Sequence, residues 1–131
     1  MTDARPMDAS ALAGRRILAV EDESLVAMFL EDLLVEFGCT VIGPASRVHD
    51  ALTLVESNFL DGAVLDINLA GERVFPVADR LAELKIPFLF ATGYGEAGLP
   101  DVYRSKVVLQ KPYSAQTLRK ALEQCFSSMR G

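Results

Sequence analysis

The stretch that decides the fold is GAVLDINLAGE, residues 62–72. Its apolar run, residues 63–65, leads into one acid, Asp66, and then into a loop that carries Asn68 and Gly71. Open α/β sheets place their ligands beside the carboxyl ends of their strands, so Asp66 is a candidate binding or reacting group. Asp also favours turns, and this stretch alone does not separate the two interpretations.

Three further apolar runs lie at residues 17–20, 87–91 and 107–109, and residues 39–42 are a further predicted strand, closed by Gly43 and Pro44. Continuous apolar runs of this length are typical of strands that are buried on both faces. Between them, apolar residues recur at helical spacing, as in the first such segment with Val26, Phe29, Leu33 and Phe37. The alternation predicts an α/β fold of the (βα)₅ type. We expect a doubly wound five-stranded parallel sheet, strand order 2-1-3-4-5, with helices on both faces.

The connections carry their own signals. Ser24, Ser46 and Ser114 stand where three of the helices are expected to begin, because Ser is a favoured N-cap. Helical spacing in the second helix directs Phe59 towards the core. The segment between strands four and five, residues 93–105, contains three glycines and Pro100. We expect it to be weakly structured and mobile, because few apolar residues are at hand to anchor it.

Length and composition limit the class of protein. A chain of 131 residues with 50% hydrophobic and 24% charged residues predicts one folded domain. Residues 1–14 lack periodicity, so we expect a disordered or frayed tail before a domain at 15–131 that carries no output domain. The net charge of −5 argues against nucleic acid as a partner.

The expected location is the cytoplasm. No apolar run approaches the roughly 18 residues of a membrane helix, and the N-terminus lacks a secretory signal pattern. Cys39 and Cys125 show no metal-ligand spacing and fall on predicted apolar faces. Buried free thiols suit a reducing compartment.

Polar side chains follow four of the predicted strands. Strand one ends in Glu21 and Asp22, strand three in Asp66, strand four in Thr92 and strand five in Lys111. The carboxyl ends of parallel strands are neighbours, so these residues should converge. Three carboxylates in one crevice repel each other, and a divalent cation would relieve this. Mg²⁺ takes oxygen ligands and usually works with one or two carboxylates and a phosphate.

That set of groups suits phosphoryl transfer. Asp66 can act as a nucleophile towards a phosphoryl group, as carboxylates do in aspartyl-phosphate chemistry. Lys111 can neutralise charge on the transferring oxygens, and Thr92 can donate a hydrogen bond to one of them. The backbone carbonyl of Asn68 could be a further metal ligand. Each group also has an ordinary interpretation, as helix-dipole decoration, turn residue or solvated lysine. Each of these residues alone is common at a strand end, but all of them together at one edge of the sheet indicate phosphoryl-transfer chemistry.

These residues resemble the receiver domain of two-component response regulators, a flavodoxin-like fold. The resemblance covers about residues 15–129 through ILAVEDE, LDIN, FATG and QKPY. It implies that Glu21 and Asp22 hold Mg²⁺, that Asp66 accepts the phosphoryl group, and that Thr92 and Lys111 stabilise it. It also implies a cis bond after Lys111, and a signalling protein rather than an enzyme, with intrinsic self-phosphorylation and self-dephosphorylation.

A narrower resemblance concerns PFLFATGY, residues 87–94, which is similar to the signature of the FAT GUY receivers. Those are mostly stand-alone receivers tied to HWE and related histidine kinases. Val108 occupies the position where ordinary receivers carry a switch aromatic. Tyr94 and the glycine-rich segment are therefore candidates to carry the signal. Asn68 and Tyr94 border the path of a hydrolytic water, so we expect changes at either to alter the phosphoryl lifetime.

The resemblance implies two partners, a kinase that donates the phosphoryl group and an unidentified downstream protein. This chain is expected to be a monomer or a weak dimer. Output would come from changed protein contacts, on the segment after strand four, on strand five and on the last helix, or from a phosphorelay. Three alternatives compete with this interpretation. A Mg-dependent phosphatase would carry DxDx[TV] after strand one, and a flavodoxin-like cofactor protein would carry a glycine-rich loop there. A degenerate receiver, acting as a constitutive protein-binding module, would lack the acceptor, acid pair or lysine, and none is missing here.

Overall fold

The central sheet has five parallel strands in the order β2-β1-β3-β4-β5, as the sequence predicts. The computed structural model describes residues 12–93 and 99–130, with side chains through residue 127. The strands are β1 (Arg16–Val20), β2 (Thr40–Ala45), β3 (Gly62–Asp66), β4 (Phe88–Thr92) and β5 (Val108–Gln110). Consecutive pairs across the sheet are parallel, so the carboxyl ends of all five strands share one edge.

Helices connect the strands. They are α1 (Ser24–Glu36), α2 (Val48–Ser57), α3 (Phe75–Glu83) and α4 (Ala115–Arg130). A 3₁₀ turn, Asp101–Tyr103, lies between β4 and β5, and a hairpin of Asn68–Leu69 and Glu72–Arg73 follows β3. Within the described ranges, none of the helices combines the length and hydropathy of a membrane span.

Alternate residues of each strand supply two separate cores, which is what a sheet covered on both faces requires. On β4, Leu89 and Ala91 join a cluster with residues of α1 and α4. Phe88 and Phe90 point to the other face and join residues of α2, α3 and the 3₁₀ turn. All four of these side chains are at most 2% exposed. The doubly wound prediction is therefore correct.

Two of the three predicted N-cap residues are wrong. Ser24 and Ser46 do not cap, because α1 and α2 have their N-caps at the residues immediately before Ser24 and Val48, with no capping side chain. The N–H of Val48 instead donates to Glu72 Oε1 at 3.2 Å, from the hairpin after β3. Ser114 does cap α4, since its Oγ accepts the N–H three residues on, at 3.2 Å.

The predicted tail is too long at its C-terminal end. Leu12 is fully buried, and its carbonyl accepts a hydrogen bond from Cys39 Sγ at 3.5 Å. The N–H of Gly14 donates to the carbonyl of Gly38 at 2.8 Å. Residues 12–14 thus belong to the domain, because they cover the start of the sheet. Residues 1–11 lie outside the described part of the chain.

One further expectation about packing is wrong. Phe59 is 71% exposed, because α2 ends at Ser57 and Asn58 is extended, so helical spacing no longer applies there. In the segment before β5, Leu99 and Tyr103 are buried, at 7% and 4% exposure, and the expected mobility of this segment stays a prediction. Residues 94–98, including Tyr94, lie outside the described ranges.

Candidate functional site

Three acids meet where β1 and β3 end. Val20 pairs with Leu65, so Glu21, which follows β1, lies beside Asp66, the last residue of β3. Both are buried, at 3% and 6% exposure, and Asp22 is half-buried beside them. One carboxylate oxygen from each of the three acids lies within 4.8 Å of the other two. The predicted convergence of these groups is therefore present in the structure.

Lys111 holds two of the acids together. Its Nζ lies 2.8 Å from Glu21 Oε1 and 3.4 Å from Asp66 Oδ1. Its backbone N–H donates to the carbonyl of Thr92 at 2.9 Å, which fixes the end of β5 against the end of β4. The bond from Lys111 to Pro112 is cis, as the resemblance implies.

Burial and like charge shape the electrostatics of the acceptor. The pKa of Asp66 is raised to about 7, by desolvation first and then by the charge of Glu21, while Lys111 opposes the shift. Burial also acts to lower the pKa of Lys111, but hydrogen bonding to Glu21 and the charge of Asp66 outweigh it and raise that pKa. The cluster therefore carries more negative charge than one lysine compensates.

Backbone groups orient the two acids of the first strand. Asp22 Oδ2 accepts the N–H of Ala70 at 2.9 Å, and Glu21 Oε2 accepts the N–H of Glu23 at 3.1 Å. Ala70 and Gly71 have positive φ, of 49° and 91°, and form the hairpin turn that brings this N–H to Asp22. Sequence reasoning missed the role of Ala70. The only available signal was the turn-forming Gly71 after it.

A cavity of about 370 Å³ opens onto these groups. Its lining includes Asp66, Thr92 and Lys111 together with Asn68 of the hairpin. Thr92 is 3% exposed, so its hydroxyl stands in the wall rather than in solvent. Side chains from three strand ends and from the hairpin thus line one space that is large enough for a phosphoryl group.

The donor set fits Mg²⁺. Three carboxylates offer hard oxygen ligands at mutual distances that one ion can bridge, and the excess negative charge favours a cation there. Asn68 is exposed and lies on the cavity wall, so its carbonyl stays a predicted ligand.

Val108 occupies the position on β5 where ordinary receivers carry an aromatic residue. It lies on β5 opposite Phe90 and is half-buried against the α2 and α3 side of the sheet. No aromatic ring stems from that strand position. Tyr94, which the sequence analysis names as a candidate to carry the signal, lies outside the described ranges, so its role stays a prediction.

Known proteins resemble this chain over nearly its whole length, although no family model matches it. It is 30% identical over 127 residues to the transcriptional regulatory protein PdtaR of Mycobacterium tuberculosis, across 94% of this chain. It spans less than two thirds of its curated relatives, 62% of PdtaR and 48% of the phyllosphere-induced regulator PhyR of Methylorubrum extorquens.

Solved structures agree more closely in extent. SdrG from Sphingomonas melonis Fr1 is 44% identical and superposes with a TM-score of 0.78, over 88% of this chain and 98% of SdrG. SdrG is also known in a BeF₃-activated conformation, with a TM-score of 0.72 over 84% of this chain and 94% of that chain. The response regulator REC domain of Erythrobacter litoralis PhyR is 28% identical, with a TM-score of 0.78 over 89% and 93%.

The relatives are regulators rather than enzymes, and their common part is the domain described here. The FATG motif on β4 is consistent with the FAT GUY type that PhyR and SdrG represent. Sequence identity, fold and the order of groups along the strand ends agree, and the chain belongs to the receiver domain family of response regulators.

Proposed function

We propose that this receiver accepts a phosphoryl group on Asp66 from a histidine kinase of the HWE or a related family. The observation that supports this most strongly is the contact of Lys111 with Glu21 and Asp66, beside a cavity that Thr92 also lines. A carboxylate, a cation and a hydroxyl around one space are the groups that an in-line phosphoryl transfer requires.

In the proposed reaction, a carboxylate oxygen of Asp66 attacks phosphorus, and the bond from phosphorus to the donor's imidazole nitrogen breaks. The nitrogen keeps the electron pair of that bond, and Asp66 becomes an acyl phosphate. In the free protein Lys111 contacts the carboxylate of Asp66, and after phosphorylation it would contact the phosphoryl oxygens. Thr92 would donate a hydrogen bond from its hydroxyl to one of these oxygens.

We propose Mg²⁺ as the cofactor, held by Glu21, Asp22 and Asp66 with the backbone carbonyl of Asn68. The ion would neutralise charge on the transferring phosphoryl oxygens. The chain itself orients two of these ligands, through the N–H groups of Glu23 and Ala70. Glu21 therefore has one oxygen fixed by backbone and the other paired with Lys111.

The lifetime of the acyl phosphate should depend on the residues that border the hydrolytic water. Asn68 lines the cavity, and Tyr94 follows Thr92 by two positions. We propose that substitution of either changes the rate of self-dephosphorylation. Unchanged decay in Asn68→Ala and Tyr94→Ala, followed by intact mass after removal of the donor, would refute this.

We further propose that the domain acts as a stand-alone receiver in the cytoplasm, as a monomer or weak dimer. Its output would be a changed protein-binding surface on residues 99–110 and α4, or transfer of the phosphoryl group onward in a relay. The buried free thiols of Cys39 and Cys125 are compatible with a reducing compartment. The acidic net charge of −5 favours protein partners over nucleic acid.

The test is incubation with acetyl phosphate, with and without Mg²⁺, followed by intact mass. We expect one added phosphoryl group that requires Mg²⁺ and is absent in Asp66→Asn. Asp61→Asn is the matched control, because Asp61 lies at the other end of the sheet from the cavity. Absence of the adduct from both acetyl phosphate and an HWE kinase, with no Mg²⁺ binding, would favour a degenerate receiver that binds proteins constitutively.

A further inference from the structure

Tyr103 of the 3₁₀ turn is the centre of an aromatic cluster beside the phosphoryl site. It is 4% exposed, and its ring centroid lies 5.5 Å from that of Phe90 and 5.8 Å from that of Phe88, both in edge-on geometry. It stacks on Phe75 of α3 at 6.1 Å with an interplanar angle of 17°. Tyr103 therefore ties the segment before β5 to both β4 and α3.

The hydroxyl of Tyr103 adds a directional bond to this packing. It donates to Asp79 Oδ1 on α3. Burial and the nearby Asp79 carboxylate raise the pKa of the phenol, so the hydroxyl keeps its proton and remains a donor at neutral pH. A partly buried hydrogen bond to a charged acceptor is among the stronger single contacts available to a side chain.

The cluster lies on the face where the β5 aromatic of ordinary receivers is missing. Val108 packs against the same core as Phe88, Phe90 and Tyr103, and it pairs with Phe90 across the sheet. Phe90 thus packs against a ring from the 3₁₀ turn, beside that of Phe75, and not against a ring from β5. Phe90 precedes Thr92 by two positions on the same strand, so a displacement of the end of β4 alters the packing under Tyr103.

We propose that Tyr103 is a positioning residue that replaces the absent aromatic at position 108, and that its bond to Asp79 is a latch. The latch holds residues 99–106 against α3 in the unphosphorylated protein and opens when Thr92 turns to the phosphoryl group. This inference rests on the proposed phosphoryl-acceptor function. Because coupling between two sites is reciprocal, weakening the latch must raise the affinity of the acceptor site for a phosphoryl analogue.

The experiment compares BeF₃⁻ binding in the presence of Mg²⁺ for the wild type and Tyr103→Phe. The variant keeps the ring in the cluster and loses only the hydroxyl. We expect its apparent Kd for BeF₃⁻ to fall about fivefold, the lower end of typical coupling between sites. Amide exchange of residues 99–106 in the free variant should rise towards the level of the BeF₃⁻-bound wild type.

Three further variants separate a latch from a merely structural contact. Asp79→Ala should reproduce Tyr103→Phe, whereas Asp79→Asn keeps an oxygen acceptor and should stay near the wild type. Tyr113→Phe makes the same chemical change on the opposite face of the sheet and should leave exchange at 99–106 unchanged.

The outcomes distinguish the two proposals. If the wild type binds BeF₃⁻ and Tyr103→Phe only loses stability, with an unchanged Kd and an unchanged difference in exchange between free and bound states, the latch is wrong and the acceptor function stands. If the wild type neither binds BeF₃⁻ nor takes a phosphoryl group from acetyl phosphate, the acceptor function fails, and the latch fails with it.

Discussion

The two ends of the sheet differ in how their polar groups are satisfied. At the end where the strands begin, which we call the closed end, Arg16 donates three hydrogen bonds. Its backbone N–H donates to Asp61 Oδ2 at 2.8 Å, and its Nε donates to the carbonyl of Phe59 at 2.8 Å. Its guanidinium also donates to Asn58 Oδ1 at 3.3 Å. Hydrogen bonds therefore satisfy the polar groups at this end.

At the other end, which we call the acceptor end, like charges are packed together. Glu21 and Asp66 share a single lysine, and Asp22 adds a third carboxylate within 4.8 Å. The same strands thus begin among hydrogen-bonded polar groups and finish in uncompensated negative charge. We therefore expect substitutions at the acceptor end to change both stability and phosphorylation, and substitutions at the closed end to change stability alone.

The largest effect should follow the loss of Lys111. Lys111→Ala leaves Glu21 and Asp66 buried without their shared cation, and removal of one partner from a buried ion pair is strongly destabilising. We expect the free energy of unfolding in EDTA to fall by about 3 kcal/mol. Millimolar Mg²⁺ should restore part of the loss, because a bound cation supplies positive charge and stabilises by mass action.

Urea unfolding with and without Mg²⁺ measures this, and Lys120→Ala provides the matched control, since Lys120 is exposed on α4. Equal stability of Lys111→Ala and Lys120→Ala in EDTA would show that the acceptor end is not under electrostatic stress. A loss that Mg²⁺ does not reduce would separate the lysine from the metal site.

The next effect belongs to the closed end. Asp61→Ala removes the acceptor of the Arg16 backbone N–H and leaves this donor partly buried. We expect a loss of about 2 kcal/mol in the free energy of unfolding, with an unchanged rate of phosphorylation by acetyl phosphate. Urea unfolding and intact mass on the same preparation test both halves. A large change in phosphorylation rate would contradict the separation of the two ends.

The parts of the molecule that the sequence predicts are those that depend on local pattern and on the geometry of parallel strands. Short apolar runs define the strands, and parallel pairing then brings Glu21, Asp66, Thr92 and Lys111 to one edge. No long-range contact has to be known for that step. This is why the order of the sheet and the positions of the candidate site residues could be predicted from the sequence.

The missed features depend on contacts between segments that are distant in sequence. Ser46 has the right residue type for a cap, but Glu72 reaches Val48 from the hairpin instead. Leu12 has no periodic neighbours, yet it is buried at the start of the sheet. Tyr103 lies in a segment rich in glycine, and only the packing of Phe75, Phe88 and Phe90 makes it an anchor.

A smaller effect, of opposite sign, should come from Tyr113 near the acceptor end. Its hydroxyl is buried and has no hydrogen-bond partner within the described part of the chain. A buried donor without a partner costs stability, so Tyr113→Phe should raise the free energy of unfolding by about 1 kcal/mol. Thermal unfolding of the variant beside Tyr103→Phe gives the comparison. Destabilisation by both variants would show that the Tyr113 hydroxyl is satisfied in solution.

The smallest effect concerns the reactivity of the Cys39 and Cys125 thiols, which can be measured without a substitution. Burial raises the pKa of Cys39 and of Cys125 to about 11 each. A raised thiol pKa favours the protonated form, so at pH 8 only about one thiol in a thousand is a thiolate in the folded protein. We expect iodoacetamide to modify neither residue at pH 8 and both in urea, as read by intact mass. Selective modification of Cys39 in the native protein would mean that residues 12–14 open readily, because the Cys39 thiol lies against the Leu12 carbonyl. The closed end of the sheet would then open more readily than the acceptor end, despite its hydrogen bonds.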